Sequence, residues 1–327
     1  MKVAITGATG HIGGVIVREL LHRGHTVKAL VRGHDNKSLI GLDVEKIQGD
    51  LHDHLALERL MKSCDALIHA AALISIDGGM KGLVHHTNVE GTRNAMDAAK
   101  AAGIKRVIHI SSVHAYAQHP LDDIFDERRS PASDKTFAYD RSKRDGQALA
   151  LSYASADMKV LVVNPTSVVG PFDFKPSKLG QAIINMSTGK LPFVFKGGFD
   201  FCDSRDVAYA IVNALTMGRS GEAYLLGGGW YSLTEFGQIL SEVSAQKNKP
   251  IALPTTLGWI GLPFIYGFAR MTKSEPLYTN EALVAVSEGH RLINCMKAKT
   301  ELQYVNRPLR ESLADTWSWF NENGYLG

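Results

Sequence analysis

The chain has 327 residues, 45% of them apolar, and lysine plus arginine exceed aspartate plus glutamate by only 36 to 33, a net +3 with no basic block or tail. That length buries a substantial core in one large domain or two modest ones, and the even spread of charge offers no footing for nucleic acid. Three widely spaced cysteines, Cys64, Cys202 and Cys295, form no CxxC or Cys/His ligand spacing, which argues against structural zinc or any other metal site and suits a reducing, cytoplasmic setting.

The N-terminus, MKVAITGATG, enters a strand at once and lacks the basic-then-apolar layout of a secretion signal. Up to about residue 165, short apolar runs alternate with helical patterns: VAIT, then a helix over 12–23; TVKALV; EKIQG, then 54–62; ALIHAA, then 88–102; RVIHIS, then 135–156; and KVLVV. Runs apolar on both faces, separated by helices, predict a doubly wound α/β fold of Rossmann type. Beyond Pro165 the rhythm loosens into Pro/Gly-punctuated sequence, with strand signals at FDFCD and EAYLLG and mainly helical sequence to the end. The expected division places the dinucleotide-binding part at 1–170 and 199–227, and a smaller, mostly helical substrate-binding part at 171–198 and 228–327. The most membrane-like stretch, LGWIGLPFIYGFA at 257–269, is shorter than the ~20 apolar residues of a span and is broken by Pro263. It reads as a buried or lid helix, with no membrane partner.

Strand VAIT runs directly into Gly7, Thr9, Gly10, His11, Ile12 and Gly13, and an apolar helix follows. The first two glycines permit a tight turn and let backbone amides approach a pyrophosphate. The third lets helix and strand pack closely, with phosphate on the helix N-terminus. At the end of the second strand, an acid would bond the ribose 2′-hydroxyl of NAD, whereas an arginine accommodates the 2′-phosphate of NADP. Arg32 stands there in LVRGHDNK, with His34 and Lys37 nearby and Asp35 three residues on. Bidentate guanidinium pairing favours NADPH and leaves NAD open.

Tyr139 and Lys143 are four residues apart in a helical segment preceded by the capping candidates Ser133 and Asp134. At that spacing they share one helix face. An ammonium and the oxidised nicotinamide stabilise a phenolate, so the pair is expected to lower the tyrosine pKa and yield a usable acid/base.

The glycine pattern resembles that of the extended short-chain dehydrogenase/reductase family. Further ordered matches are Gly49-Asp50-Leu51, His69-Ala70-Ala71-Ala72, Asn88-Val89-Glu90-Gly91-Thr92, Ser111-Ser112, Tyr139 with Lys143, Asn164-Pro165 with Val169-Gly170-Pro171, and Arg205-Asp206-Val207-Ala208. The resemblance implies that Asp50 and Leu51 hold the adenine, that Ala70, Ala71 and Ala72 line the phosphate and ribose path, and that Pro165 to Val168 lie by the nicotinamide. It implies that Ser112, four residues before Tyr116, bonds the substrate oxygen, that Ser111 caps the strand end, that Lys143 also bonds the nicotinamide ribose, and that Asn88 supports the helix carrying the pair. It also implies a homodimer packed through the helix at 88–102 and the Tyr139 helix.

Departures from the resemblance narrow the reaction. Sugar 4,6-dehydratases carry an acidic pair directly after the serine position, where this chain has Val113 and His114. Nucleotide-sugar epimerases usually have an arginine that grips the substrate diphosphate, where this chain has Phe199. Phe172, Phe174, Phe193, Phe195 and Phe201, with Trp259, Phe264 and Tyr266, offer aromatic surface from which a pocket could be drawn. The expectation is an NADPH-dependent reductase of a ketone or aldehyde on a small apolar or aromatic molecule, similar to dihydroflavonol-4-reductase-like enzymes. His114, Tyr116 and Phe172 are candidate substrate contacts beside Ser112. An epimerase retaining NAD, or a non-catalytic NADP-binding regulator, remains an alternative.

Overall fold

The computed structural model describes residues 1–327 apart from 34–35, 76–77, 246–248 and 273–278; the side chains of 264–265 and 267–272 also lie outside the description. In chain order the first half runs β1 (Lys2–Thr6), α1 (His11–His22), β2 (Thr26–Val31), β3 (Val44–Gln48), α2 (His54–Met61) and β4 (Ala66–His69). It continues through a single turn α3 (Leu83–His85), a π turn over His86–Glu90, α4 (Gly91–Ala101), β5 (Arg106–Ile110), α5 (Ala138–Ser152) and β6 (Lys159–Pro165). The second half carries β7 (Ser167–Val169), α6 (Lys178–Ser187), β8 (Phe193–Phe195), β9 (Gly198–Asp203), α7 (Ser204–Asn213), β10 (Ala223–Leu226) and β11 (Gly229–Ser232). It ends with α8 (Leu233–Val243), β12 (Ile251–Leu253), α9 (Thr255–Thr272), α10 (Asn280–Ser287), α11 (Met296–Glu301) and α12 (Leu309–Glu322).

Seven strands form one sheet in the order β10-β6-β5-β4-β1-β2-β3, and every neighbouring pair is parallel. Parallel strands need crossovers, and the intervening helices bury both faces, which is why strands such as VAIT and RVIHI are buried along their whole length. One face packs Ile5, Ile108 and Leu161 with Ile16, Leu20, Val207 and Ile211 of α1 and α7. The other packs Ala4, Leu67, Val107 and Val160 with α2 and α4. The strand order reverses between β1 and β4, so their carboxyl ends open the crevice where ligands bind in such sheets.

A second core gathers Ile183, Val194, Phe195, Phe201, Phe236, Leu313 and Phe320 beside the sheet, around the small sheets β11-β9-β7 and β12-β8. Of the aromatic residues from which a pocket could be drawn, Phe195 and Phe201 are buried in this core and Phe172 and Phe174 pack against it, whereas Phe193, Trp259 and Tyr266 are exposed. The side chain of Phe264 lies outside the description.

Two local expectations are corrected. Ser133 and Asp134 do not cap α5, whose N-cap is Phe137 without a side-chain bond; Asp134 is drawn instead into an ion pair with Arg144 at 2.7 Å. Pro263 does not break its helix, because α9 continues through it; a missing N–H removes one intrahelical bond, and the turns on either side hold the rest. Among the described residues, no helix is long and apolar enough to cross a membrane.

Candidate active site

The turn after β1 is built by contacts that admit no side chain. Gly7 has φ +74°, and a Cβ on it would stand 2.6 Å from the Ala70 carbonyl carbon and the Ala71 nitrogen; a Cβ on Gly13 would stand 2.1 Å from the Gly7 oxygen. Gly10 N–H donates to the Gly7 carbonyl at 3.0 Å and caps α1 with no side chain over the helix end. No acid occupies the first turn of α1. The free amides and positive dipole end of α1 therefore suit a pyrophosphate, and the glycines leave room for its approach.

Around this cradle, Thr9 and Ile12 are half-buried, and His11 Nε2 lies 3.1 Å from the Pro171 carbonyl, tying the glycine turn to the segment after β7. Thr6 Oγ1 accepts the Ala71 N–H and contacts His69 Nδ1 at 2.7 Å, which fixes the start of Ala70, Ala71 and Ala72. Asp50 is exposed and accepts the His52 N–H, whereas Leu51 is buried against Gly91. Pro165 is buried at the end of β6, and Val168 packs half-buried on the first core. Arg32 is exposed just past β2 and carries no ion pair among the described residues. His34 and Asp35 lie outside them.

Ser112, Tyr139 and Lys143 converge at the carboxyl end of β5. The Ser112 hydroxyl stands near enough to the Tyr139 phenol to favour its ionised form. Lys143 is buried, and its Nζ donates to the Ile110 carbonyl at 3.1 Å. Gln147 continues the helix face at the next i+4 step: its Oε1 accepts from Asn164 Nδ2 at 2.6 Å, and that amide also donates to the Ser112 carbonyl at 2.9 Å. Asn88 bonds both backbone groups of Leu73 and donates to Ser142 Oγ, which donates to the Tyr139 carbonyl. The helix bearing the pair is thus braced on two sides. Gln147 and the 112–164 link were missed in the sequence; their signal is the third step of the Tyr139, Lys143, Gln147 face.

The expected lowering of the tyrosine pKa is corrected. Burial pushes the Tyr139 phenol up, with Asp140 adding to the rise and the Ser112 hydroxyl opposing it. Burial also pushes Lys143 down, to about 8. Desolvation is the largest effect, so the phenol keeps its proton, which is the form a proton donor needs. Ser111 is corrected as well: its hydroxyl is buried with no hydrogen-bond partner among the described residues, although its N–H donates to the Val163 carbonyl.

The candidate substrate residues fall in different places. His114 sits one turn past Ser112, with its ring edge-on to Tyr139 at 5.6 Å and Nδ1 2.9 Å from Asp140 Oδ1. Tyr116 is buried against Phe125, its hydroxyl accepts from Gln147, and burial pushes it up to about 12. Phe172 lies under the Arg18 guanidinium at 4.6 Å and beside Trp319, with no ring contact to Tyr139. Among the described residues, no group of histidines, cysteines and acids could hold a metal.

Comparison with known proteins agrees with this architecture. The model of the NAD dependent epimerase/dehydratase family matches residues 3–227. A sterol demethylase protein B from Methylococcus capsulatus is 32% identical over the whole of both chains. A putative dihydroflavonol 4-reductase from Synechocystis is 32% identical over 98% of this chain and 95% of its own. A 2-alkyl-3-oxoalkanoate reductase from Stenotrophomonas maltophilia is 30% identical over 78% and 80%. The crystal structure of gox2253 superposes with a TM-score of 0.85 at 31% identity, covering 100% of this chain and 99% of that one.

Proposed function

The chain belongs to the NAD-dependent epimerase/dehydratase family and is an NAD(P)-dependent oxidoreductase-type enzyme, and from that premise we propose that it is an NADPH-dependent reductase of a ketone or aldehyde carbonyl on an apolar substrate. The observation that carries the reading is the convergence of Ser112, Lys143 and a Tyr139 phenol whose proton is retained by burial. Bound NADPH supplies the hydride. Ser112 holds the carbonyl oxygen, Tyr139 gives it a proton, and Lys143 supplies the nearby positive charge. Val113 beside Ser112 has no group to exchange a proton, which disfavours elimination of water. Phe199 packs on Phe201 and cannot pair with a diphosphate, which disfavours a nucleotide-sugar substrate. The relatives' names, a sterol enzyme, a dihydroflavonol reductase and a 2-alkyl-3-oxoalkanoate reductase, point to ring or chain substrates of apolar character.

In this reading residues 1–170 and 199–227 hold the dinucleotide, the remainder shapes the substrate side, and the enzyme works in the cytoplasm as a homodimer packed through α4 and α5, without nucleic acid or membrane partners. Replacing Tyr139 by Phe should leave NADPH affinity unchanged and cut carbonyl reduction by roughly 10²–10⁴-fold. Undiminished turnover, followed by NADPH absorbance, overturns the reading. For cofactor choice, Arg32→Ala should weaken NADPH by about tenfold or more, the scale of a charge-assisted bond, and leave NADH affinity unchanged. Equal NADH and NADPH affinities in the unaltered enzyme overturn that preference.

A further inference from the structure

Residues 250–269, which include β12 and most of α9, hold no charged side chain, and a helix apolar on every side is ordinarily enclosed. α9 is covered on one side only. Gly258 is pressed on Phe195 and Leu283, where a Cβ would stand 2.9 Å from each, and Leu262, one turn on, is buried. On the outer side Leu257 is 51% exposed and Ile260 67%, and Trp259 and Tyr266 are exposed as well. On β12, which leads into α9, Ile251 is 60% exposed.

The charge around this face has one sign. Residues 174–199 and 244–274, which the parallel pairing of β8 with β12 brings together, hold eight lysines and arginines and no acid, a net +8 in a chain whose total is +3. Charge that is spread along the sequence is thus gathered by the fold. Lys190, Lys196 and Lys249 are exposed and carry no ion pair among the described residues. The Lys196 N–H donates to the Leu253 carbonyl at 2.8 Å, two residues before α9 begins. Of the acids that flank the two segments, Asp173 and Asp200 are buried, Glu242 pairs with Arg310 at 2.6 Å, and Glu275 lies outside the described residues.

We propose that the outer face of α9, with the lysines around it, docks on the surface of an anionic phospholipid bilayer. Leu257, Trp259 and Ile260 enter the boundary between headgroups and acyl chains, and the ammonium groups pair with lipid phosphates. A second copy of the chain suits this face less well, because two such faces bring like charges together. A helix lying flat needs no spanning length, so the docking agrees with the lack, among the described residues, of a helix able to cross a membrane. The proposal revises the reading above at one point, its lack of a membrane partner, and does not rest on the carbonyl chemistry. The docked helix is also joined to the active site. The Asn280 N–H donates to the Tyr266 hydroxyl at 3.2 Å, and Glu281 accepts the Gly78 N–H at 3.0 Å. A Cβ on Gly79 would stand 3.1 Å from that of Ala138, the residue before Tyr139.

The test is sedimentation of the full chain with vesicles of phosphatidylcholine alone, or of phosphatidylcholine and phosphatidylglycerol in equal parts. The unaltered protein should sediment with the anionic vesicles, hardly with the neutral ones, and be released at high salt. Ile260→Asp, with Ile260→Ser as a second variant should the first fold poorly, should lower partitioning by about tenfold or more. Lys196→Gln and Lys249→Gln should each lower it by about fivefold, the scale of one cation near such a surface. Leu55→Asp, at an apolar position 71% exposed on α2, should bind as the unaltered protein does. Melting temperature reports the fold of each variant, and reduction of a water-soluble carbonyl by Ile260→Asp at the unaltered rate separates loss of docking from loss of the active site. No sedimentation with anionic vesicles, equal sedimentation with neutral ones, or Ile260→Asp bound like the unaltered protein overturns the assignment. A concentration-dependent dimer that Ile260→Asp abolishes, without vesicle binding, gives the face to a second copy and overturns it too.

Discussion

At the scale of single residues, two titrating groups set how the site should respond to pH. Lys143 sits at about 8 because burial disfavours its charge, so it is cationic below that value and loses its proton as pH rises through it. The phenol of Tyr139 is pushed the other way and stays protonated across the same range. Reduction should therefore hold up to about pH 8 and fall above it, in kcat/KM, which reports the free enzyme. A profile flat to pH 9.5 would show that the Lys143 charge is not required. The glycines make a second residue-scale case. Gly13→Ala forces a Cβ to within 2.1 Å of the Gly7 oxygen, while Gly10→Ala makes only an ordinary 3.4 Å contact there. Gly13→Ala should lose dinucleotide binding and much of its melting temperature, whereas Gly10→Ala should fold with a near-normal melting curve.

At the scale of elements, the centre of the sheet holds a pair of histidines with no role in the proposed chemistry. His69 of β4 and His109 of β5 are register partners, with ring centroids 5.3 Å apart. Burial holds His69 down at about 3 and His109 well below its ordinary value, so both are neutral in the fold and charged in the unfolded chain below about pH 6.5. The unfolded state then binds more protons, and stability is lost as pH falls below about 6.5, by about 1.4 kcal/mol per pH unit for each histidine. Among the described residues neither ring nitrogen of His109 has a hydrogen-bond partner, whereas His69 is bonded by Thr6 and Thr92. His109→Phe should thus raise the melting temperature more at pH 5 than at pH 7.5; equal shifts at the two values would contradict the titration. These elements were legible because period-2 and period-3.6 patterns are strong where both faces of a sheet are covered. The strands β7, β8, β11 and β12 have only 3 or 4 residues each, and α6 begins inside the Pro/Gly-rich FDFKPSKLG; in that half local pattern is weak and tertiary packing decides. In the site, Tyr139 and Lys143 were legible from spacing. The bond from His114 to Asp140 joins residues 26 apart on different elements, and no periodicity connects them.

At the scale of the whole molecule, the second core must be held to the sheet for any substrate residue to face the nicotinamide end, and one ionic network makes that join. Arg307, between α11 and α12, grips Asp206 of α7 through Nη2 at 2.7 Å and Nε at 3.0 Å, and its backbone N–H donates to the same carboxylate. Arg205 pairs with Asp203 through two bonds and reaches Asp315 of α12 at 2.6 Å. The Asp203 side chain is fully buried and that of Asp206 is 10% exposed. Carboxylates so placed are tolerated only while paired, because removal of one partner leaves charge in a poorly solvated place. The Arg205-Asp206 match noted in the sequence thus acquires a physical reason, while its partner Arg307, 101 residues on, carried no signal of its own. Arg307→Ala should destabilise the protein by about 2–4 kcal/mol, below the 3–5 kcal/mol of fully buried pairs because the arginine is partly exposed. That is a fall of several degrees in melting temperature for a chain this long. Arg307→Lys keeps the charge but not the forked geometry, and should recover only part of the loss. A melting temperature within about one degree of the unaltered protein for Arg307→Ala would mean that apolar packing of the second core, rather than this ionic join, holds the two halves in register.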